Sequence, residues 1–246
     1  MTYSEELDDT QITLNGKQVG GHTTRTVADM LTNLPVLVES VANIPIGCGF
    51  GASGAGALGT AYALNEALCL NLTSAKIIET AHVAEVINRS GLGDVIAQSY
   101  GGVVIRTAPG APEYGKVDWI PVARKEVLCL PLGELDTGSV ISDPDLVWRI
   151  TSMGRGAMKK LMLAPTFETF MQCSRDFAIG TGLASDAIMD IVEAVGSAGG
   201  MASQAMLGES VFAIADPGRR EAVIEALNEF GQPLAYNLND CRAGLL

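Results

Sequence analysis

The stretch Pro45-Ile46-Gly47-Cys48-Gly49-Phe50-Gly51-Ala52-Ser53-Gly54-Ala55-Gly56-Ala57-Leu58 decides how this chain is read. Glycines at 47, 49, 51, 54 and 56, one hydroxyl (Ser53) and no lysine describe a main-chain cradle for phosphate. Glycine tolerates positive φ and leaves room for an anion to approach the backbone. The small-residue helix predicted to follow, with Ala57, Ala61, Leu64 and Leu68 on one stripe, would aim its free N–H groups and dipole at the same spot. A close-packed glycine turn without a ligand is the competing structural reading. Gly49-x-Gly51-x-x-Gly54 also satisfies the letters of a dinucleotide fingerprint, which requires strand, helix and second strand. Here a second helix follows instead, and Pro45 interrupts the approach. A Walker loop is excluded because no Gly-Lys-Ser/Thr follows.

Upstream, Gln11–Leu14 reads as a strand ending in the turn signal Asn15-Gly16, and Val27, Met30 and Leu31 place a helix over Thr24–Leu34, closed by Pro35. Val36–Val41 is strand-like. Downstream, Thr73 is a candidate N-cap for a helix to about Arg89, and Gly91-Leu92-Gly93-Asp94 breaks it. Gly102–Arg106 and Glu126–Leu132 read as strands. From Asp143 the character turns helical: Pro144–Leu163, Thr166–Ile179 and Ser185–Val195. A strand Val211–Ala215, a helix Pro217–Phe230 and a strand Leu234–Leu238 complete the order. This predicts an α+β protein with a first domain over residues 1–138 and a second over 139–246.

The 246 residues suffice for a sizeable core, and the positive mean hydropathy with few aromatics describes an Ala/Gly/Leu/Val/Ile-packed globular chain. Net charge is −12 with no basic stripe, which argues against nucleic-acid binding. The five cysteines are scattered without a C-x-x-C pair, as suits buried thiols in a reducing cytosol. The polar, acidic Met1–Asp9 does not resemble a signal peptide. Ser40–Asn65 is uncharged, but its Gly/Ala/Ser content and Pro45 do not suit a membrane span. The expectation is a cytoplasmic protein with neither nucleic-acid nor membrane partners.

Several side chains stand out near the cradle. His82 and Glu85, three apart on a predicted helix, share a face with Ile78 and Arg89. With only His22 and His82 in the chain, a histidine metal site is a poor reading. The bland alternative is an exposed face of weak ion pairs. One carboxylate beside a phosphate cradle is nonetheless what Mg²⁺ uses, since it takes few protein oxygens. Asp94 in a glycine-rich turn serves either an Asx-turn or a catalytic base. Arg106 ends a strand in a chain poor in basic residues, and a planar guanidinium binds a carboxylate in bidentate fashion. Ser53 alone reads as an N-cap or a ligand, and Thr137 as a turn threonine.

Pro45-x-x-x-Gly49-Phe50-Gly51-Ala52-Ser53 resembles the phosphate-binding loop of the GHMP kinases, and within that superfamily the fit is to the archaeal pantoate kinase family. Ala81-His82-Val83-Ala84-Glu85, Gly91-Leu92-Gly93-Asp94-Val95, Arg106 before Pro109-Gly110, and Ser203-Gln204-Ala205-Met206-Leu207-Gly208-Glu209 carry the same resemblance in order along the chain. It implies a GHMP kinase fold: a ribosomal protein S5 domain 2-like first part with an ATP-binding role, and a ferredoxin-like second part. It further implies ATP and Mg²⁺ as cofactors and pantoate as small-molecule substrate, phosphorylated on the way to coenzyme A; the alternatives are another GHMP kinase acting on homoserine, shikimate or mevalonate, or a non-catalytic GHMP-fold protein that binds nucleotide or metabolite. Pro45, Gly47, Gly49, Gly51, Ala52, Ser53, Gly54 and Ala55 would contact nucleotide, Ser53 and Glu85 would hold Mg²⁺, and Asp94 would be the base. His82, Arg106 and Thr137 would hold the acceptor. Members carry roughly 50 further residues before the point matching Met1, including a strand and a serine-bearing loop, so a sheet edge is expected to be left open. A truncated gene model, a fragment or a form completed by another chain would each account for this, and a homodimer is also allowed.

Overall fold

Gln11–Leu14 (β1) turns back through Asn15 and Gly16, both at positive φ, into the short strand Lys17–Gln18 (β2), the hairpin that Asn-Gly signals. This is seen in a computed structural model that describes residues 7–91, 93–135, 140 and 142–245. Helix α1 (His22–Leu31) then crosses to β3 (Leu37–Ser40), which runs parallel to β1 with Ile12 opposite Val38. Parallel neighbours require such a crossover. The helix ends three residues before the predicted Leu34 because Thr32 is already extended and its hydroxyl accepts from the Leu34 N–H.

Helices α2 (Ala52–Ala67) and α3 (Ser74–Asn88) pack with α1 around Val27, Ala57, Leu58, Ala61, Ile77, Ala81 and Val95. Alanines on the facing stripes let the helices approach closely. Thr73 caps α3 as predicted, its hydroxyl accepting from the Lys76 N–H at 3.3 Å. The glycine break after α3 opens at once into a short helix, α4 (Asp94–Tyr100), which the sequence reading missed. The two-stranded sheet β4 (Val103–Ala108) and β5 (Lys116–Ile120) follows, β5 likewise unforeseen.

The remaining elements are β6 (Glu126–Gly133), α5 (Pro144–Leu163), α6 (Phe167–Thr181), α7 (Asp186–Ser197), β7 (Met201–Gln204), β8 (Glu209–Ile214), α8 (Arg220–Asn228) and β9 (Leu234–Asn237). Asp143, Thr166 and Ser185 cap α5, α6 and α7 with side-chain oxygens. An antiparallel sheet in the order β7-β8-β6-β9 sets Leu130 opposite Val211 and Ala202 opposite Ala213. Its apolar face meets Ile188, Ile191 and Val195 of α7 and Val223 and Leu227 of α8. Arg220 clamps Glu126 with two bonds of 2.7 and 3.1 Å, tying α8 to β6.

These elements form two compact units that interleave in sequence. One comprises Met1–Pro45, Gly51–Trp119 and Asp240–Leu246, and the other Ile46–Phe50 and Ile120–Asn239. Strand β6, read from sequence as part of the first domain, is a central strand of the second unit's sheet. No helix among the described residues is long and apolar enough to cross a membrane.

Candidate active site

In the first unit the cradle begins at Gly51, whose φ of 71° makes it the left-handed N-cap of α2. Ser53 is therefore not the cap. It sits inside the first turn, and its hydroxyl donates to Thr23 Oγ1 at 3.2 Å, which in turn donates to Ser90 Oγ at 2.8 Å. The Gly51 carbonyl accepts from the Ala55 N–H at 3.0 Å and from Gln98 Nε2 at 2.8 Å.

Two carboxylates converge on this helix start. A methyl group placed on Gly54 would lie 3.0 Å from Asp94 Cβ and 3.1 Å from Glu85 Oε1. One placed on Gly91 would lie 2.7 Å from Glu85 Oε1 and 3.3 Å from Asp94 Oδ2. Both glycines are thus required by close approach, and both line the same carboxylate pair. Glu85 has no solvent exposure and His82 only 7%, so the exposed-face reading of α3 fails. Neither Glu85 carboxylate oxygen has a hydrogen-bond partner among the described residues. Burial, then the Asp94 charge, push the Glu85 pKa up to about 7, against weaker lowering by the Val95 backbone amide and Arg106. Burial also raises the Asp94 pKa. A buried acidic pair of this kind is short of positive charge.

His82 Nε2 lies 3.4 Å from Arg106 Nη2, which donates to the Gly110 carbonyl at 2.8 Å. Burial and the guanidinium both lower the His82 pKa, favouring the neutral ring, and burial lowers that of Arg106 while Glu85 opposes the shift. With Arg106 donating to Nε2, the ring proton sits on Nδ1, which is buried without a partner. The structure thus gathers His82, Glu85, Asp94, Arg106 and the Gly51–Ala55 turn in one unit.

Pro45 is half-buried and ends the preceding segment. Gly47, Cys48 and Gly49 belong to the second unit, where Cys48 and Gly49 press on the turn joining β7 to β8. Gly49, at φ 83°, has no room for a side chain: a methyl group there would collide with the Ala205 carbonyl oxygen and lie 2.9 Å from the Gly208 nitrogen. One on Gly208 would run into the Cys48–Gly49 backbone. Gln204, almost fully buried, donates to the Gly208 carbonyl at 3.0 Å and holds that turn. Thr137 lies outside the described residues. Sequence reasoning missed Thr23, Ser90 and Gln98, and read Gly91 as a helix break in a motif without its close approach to Glu85; these roles come from contacts between distant elements. Only the spacing of Asp94 and Gln98, one turn apart, offered a signal.

The chain matches the family model "GHMP kinases N terminal domain" over residues 6–102 and "GHMP kinases C terminal" over residues 158–232. It is 36% identical over 198 residues to a pantoate kinase of Methanocaldococcus jannaschii, covering 80% of this chain and 70% of that protein. The chain belongs to the GHMP kinases. A pantoate kinase of Thermococcus kodakarensis is 37% identical over 192 residues, 78% of this chain and 63% of that protein. The matched region therefore spans a little under two thirds to about 70% of these relatives. A solved "Phosphotransferase related to CoA biosynthesis pathway" superimposes with a TM-score of 0.81 at 31% identity, covering 96% of this chain and 83% of that one. A homoserine kinase of Cytophaga hutchinsonii, at 16% identity and a TM-score of 0.68, shares the fold. The GHMP kinase fold and α+β class expected from the sequence are borne out.

Proposed function

We propose that this GHMP kinase transfers the γ-phosphoryl group of ATP to the C4 hydroxyl of (R)-pantoate, giving 4-phosphopantoate and ADP. The pantoate kinase relatives support the acceptor, and the observation that carries the chemistry is the convergence of Glu85 and Asp94 on the start of α2. In this reading the unit of Met1–Pro45, Gly51–Trp119 and Asp240–Leu246 is the nucleotide-binding domain and the unit of Ile46–Phe50 and Ile120–Asn239 the C-terminal domain, in place of a single boundary at residue 138. Main-chain amides of Gly51, Ala52, Ser53 and Gly54 bind phosphate oxygens, aided by the α2 dipole, while Ala55, whose N–H is held by the Gly51 carbonyl, lines the cradle without donating to it. The family resemblance adds Pro45, Gly47 and Gly49 to the nucleotide contacts.

Glu85, buried with unpartnered oxygens, fits a hard divalent cation, and we assign Mg²⁺ to it and to the Ser53 hydroxyl. When bound, Mg²⁺ neutralises charge on the phosphoryl oxygens. No cluster of three or more His, Cys, Asp or Glu side chains suited to a metal exists among the described residues, and Mg²⁺ bound with a nucleotide needs none. Asp94 accepts the proton as the C4 oxygen bonds to phosphorus and the bond to ADP breaks. Its raised pKa moves it toward working pH, where a base is most useful. Arg106 pairs the pantoate carboxylate, His82 offers its Nδ1–H, and Thr137 contacts the acceptor. The acidic charge without a basic stripe supports a protein without nucleic-acid partners, and the proposal extends to a cytoplasmic enzyme acting without a membrane partner, as a monomer or a homodimer.

ADP release measured with ATP and a panel of pantoate, homoserine, shikimate and mevalonate tests the reading. Turnover with pantoate well above the other acceptors is expected. Preference for another acceptor would overturn the substrate, and nucleotide binding without turnover on any would overturn the activity.

A further inference from the structure

Gln98 sits one turn beyond Asp94 on α4, so both side chains lie on the same helix face. A methyl group on Gly51 would meet the two together, 2.7 Å from Gln98 Nε2 and 3.3 Å from Asp94 Cβ and Cγ. The Gln98 amide donates to the Gly51 carbonyl, while its own Oε1 is buried with no partner among the described residues. A residue chosen for packing alone would be apolar here, because a lone buried acceptor is destabilising. What the glutamine secures is the Gly51–Ala52 peptide unit. That unit is planar and trans, so fixing its carbonyl fixes the Ala52 N–H in the opposite direction. The free amides at the head of α2 take their aim from this plane.

Gln98 is itself anchored. The chain's closing segment returns to this unit, and the Ala243 N–H donates to the Gln98 carbonyl at 2.8 Å. Ala243 also packs on the helical core. Gly101, directly after α4, lies so close to this segment that a methyl group there would stand 2.8 Å from the Asp240 carbonyl oxygen.

We propose that Gln98 is a positioning residue for the nucleotide cradle, aiming the first amides of α2 through the Gly51 carbonyl, and that the segment Asp240–Ala243 holds Gln98 in that register. This rests on the kinase reading above for the ligand, Mg-ATP, but not for the geometry.

The test compares wild type, Gln98→Leu and Ala243→Pro in two readouts. The first is Mg-ATP affinity by calorimetry together with the KM for pantoate. The second is amide hydrogen exchange of the ligand-free protein. For Gln98→Leu we expect Mg-ATP binding weakened by about threefold to tenfold, the equivalent of one neutral hydrogen bond, with pantoate KM unchanged. Exchange should rise at Ala55, whose N–H donates to the Gly51 carbonyl, but not within α3. Ala243→Pro, which deletes the N–H that holds Gln98, should act in the same direction, and it carries the test should the leucine variant not fold. Unchanged Mg-ATP affinity in both variants, or exchange raised evenly through α2, α3 and α4, overturns the proposal. A wild-type chain that binds no Mg-ATP instead refutes the kinase reading, and the assigned role falls with it.

Discussion

Replacing Glu85 by glutamine isolates the cost of burying a carboxylate beside Asp94 where the Val95 backbone amide and Arg106 offset only part of it. Its pKa rises from 4.5 to about 7 through burial and the neighbouring Asp94. Between those values the folded protein keeps a proton that the unfolded chain has lost, so stability falls as pH rises through the window. The penalty is small near pH 4.5 and complete above about pH 7. A shift of about 2.5 pH units corresponds to about 3 kcal/mol in full, of which about 2–3 kcal/mol develops between pH 5 and pH 8. Glutamine preserves the shape and abolishes the titration. Whatever its amide loses by lacking partners is the same at both pH values and cancels in the comparison. Urea unfolding of wild type and Glu85→Gln at pH 5 and pH 8, without Mg²⁺, should therefore show the variant gaining about 2–3 kcal/mol on wild type between the two. A difference that stays flat with pH would refute the claim that Glu85 is an under-compensated buried carboxylate, and with it the physical case for a cation there.

Other outcomes follow from the same site. Mg²⁺ binding to the nucleotide complex should weaken by up to about tenfold per pH unit below pH 7 and level off above it, because protonated Glu85 cannot coordinate; titration calorimetry across pH 5.5–8 checks this. Asp94→Asn should lower kcat by about 10²–10⁴-fold while Mg-ATP affinity stays near that of wild type, as single-turnover and binding assays would show. Arg106→Ala should raise the KM for pantoate by the value of a charged hydrogen bond, about 1.5–3 kcal/mol, with the KM for ATP little changed. Gly49→Ala should destabilise the fold by at least about 2 kcal/mol in chemical unfolding, since positive φ and a carbonyl contact both oppose a side chain.

The glycine loop, the helix it opens and the cap at Thr73 were legible because each depends on residues adjacent in sequence. So did the helices capped by Asp143, Thr166 and Ser185. The short helix α4 was hidden because seven residues after a glycine pair carry too little periodicity to stand out, and its Val95 and Ile96 are buried by α2 and α3 rather than by a pattern of their own. Strand β7, Met-Ala-Ser-Gln, has no strand composition at all and exists because β8 pairs with it. At the site, residue types and roles could be read from motif and resemblance, whereas Glu85's complete burial could not. Glycines 54 and 91 pack so close to that carboxylate that a side chain at either would crowd it, a contact invisible in sequence. Gln98 and Thr23 were silent for a related reason: a polar side chain that supports a distant backbone carbonyl or hydroxyl looks, in sequence, like any surface residue.

The five residues Ile46–Phe50 have a consequence for anyone wishing to cut this protein into pieces. They fold with Ile120–Asn239, and the Cys48–Gly49 backbone covers the Ala205–Gly208 turn. A gene fragment starting at Ile120 would encode every strand of that sheet yet lack the peptide that roofs the turn, while a fragment ending at Trp119 would forfeit the closing segment on α4. Each half borrows a short length of the other's polypeptide, so we expect soluble expression when both units are encoded together, or from co-expressed fragments that trade those lengths, and aggregation from either half alone.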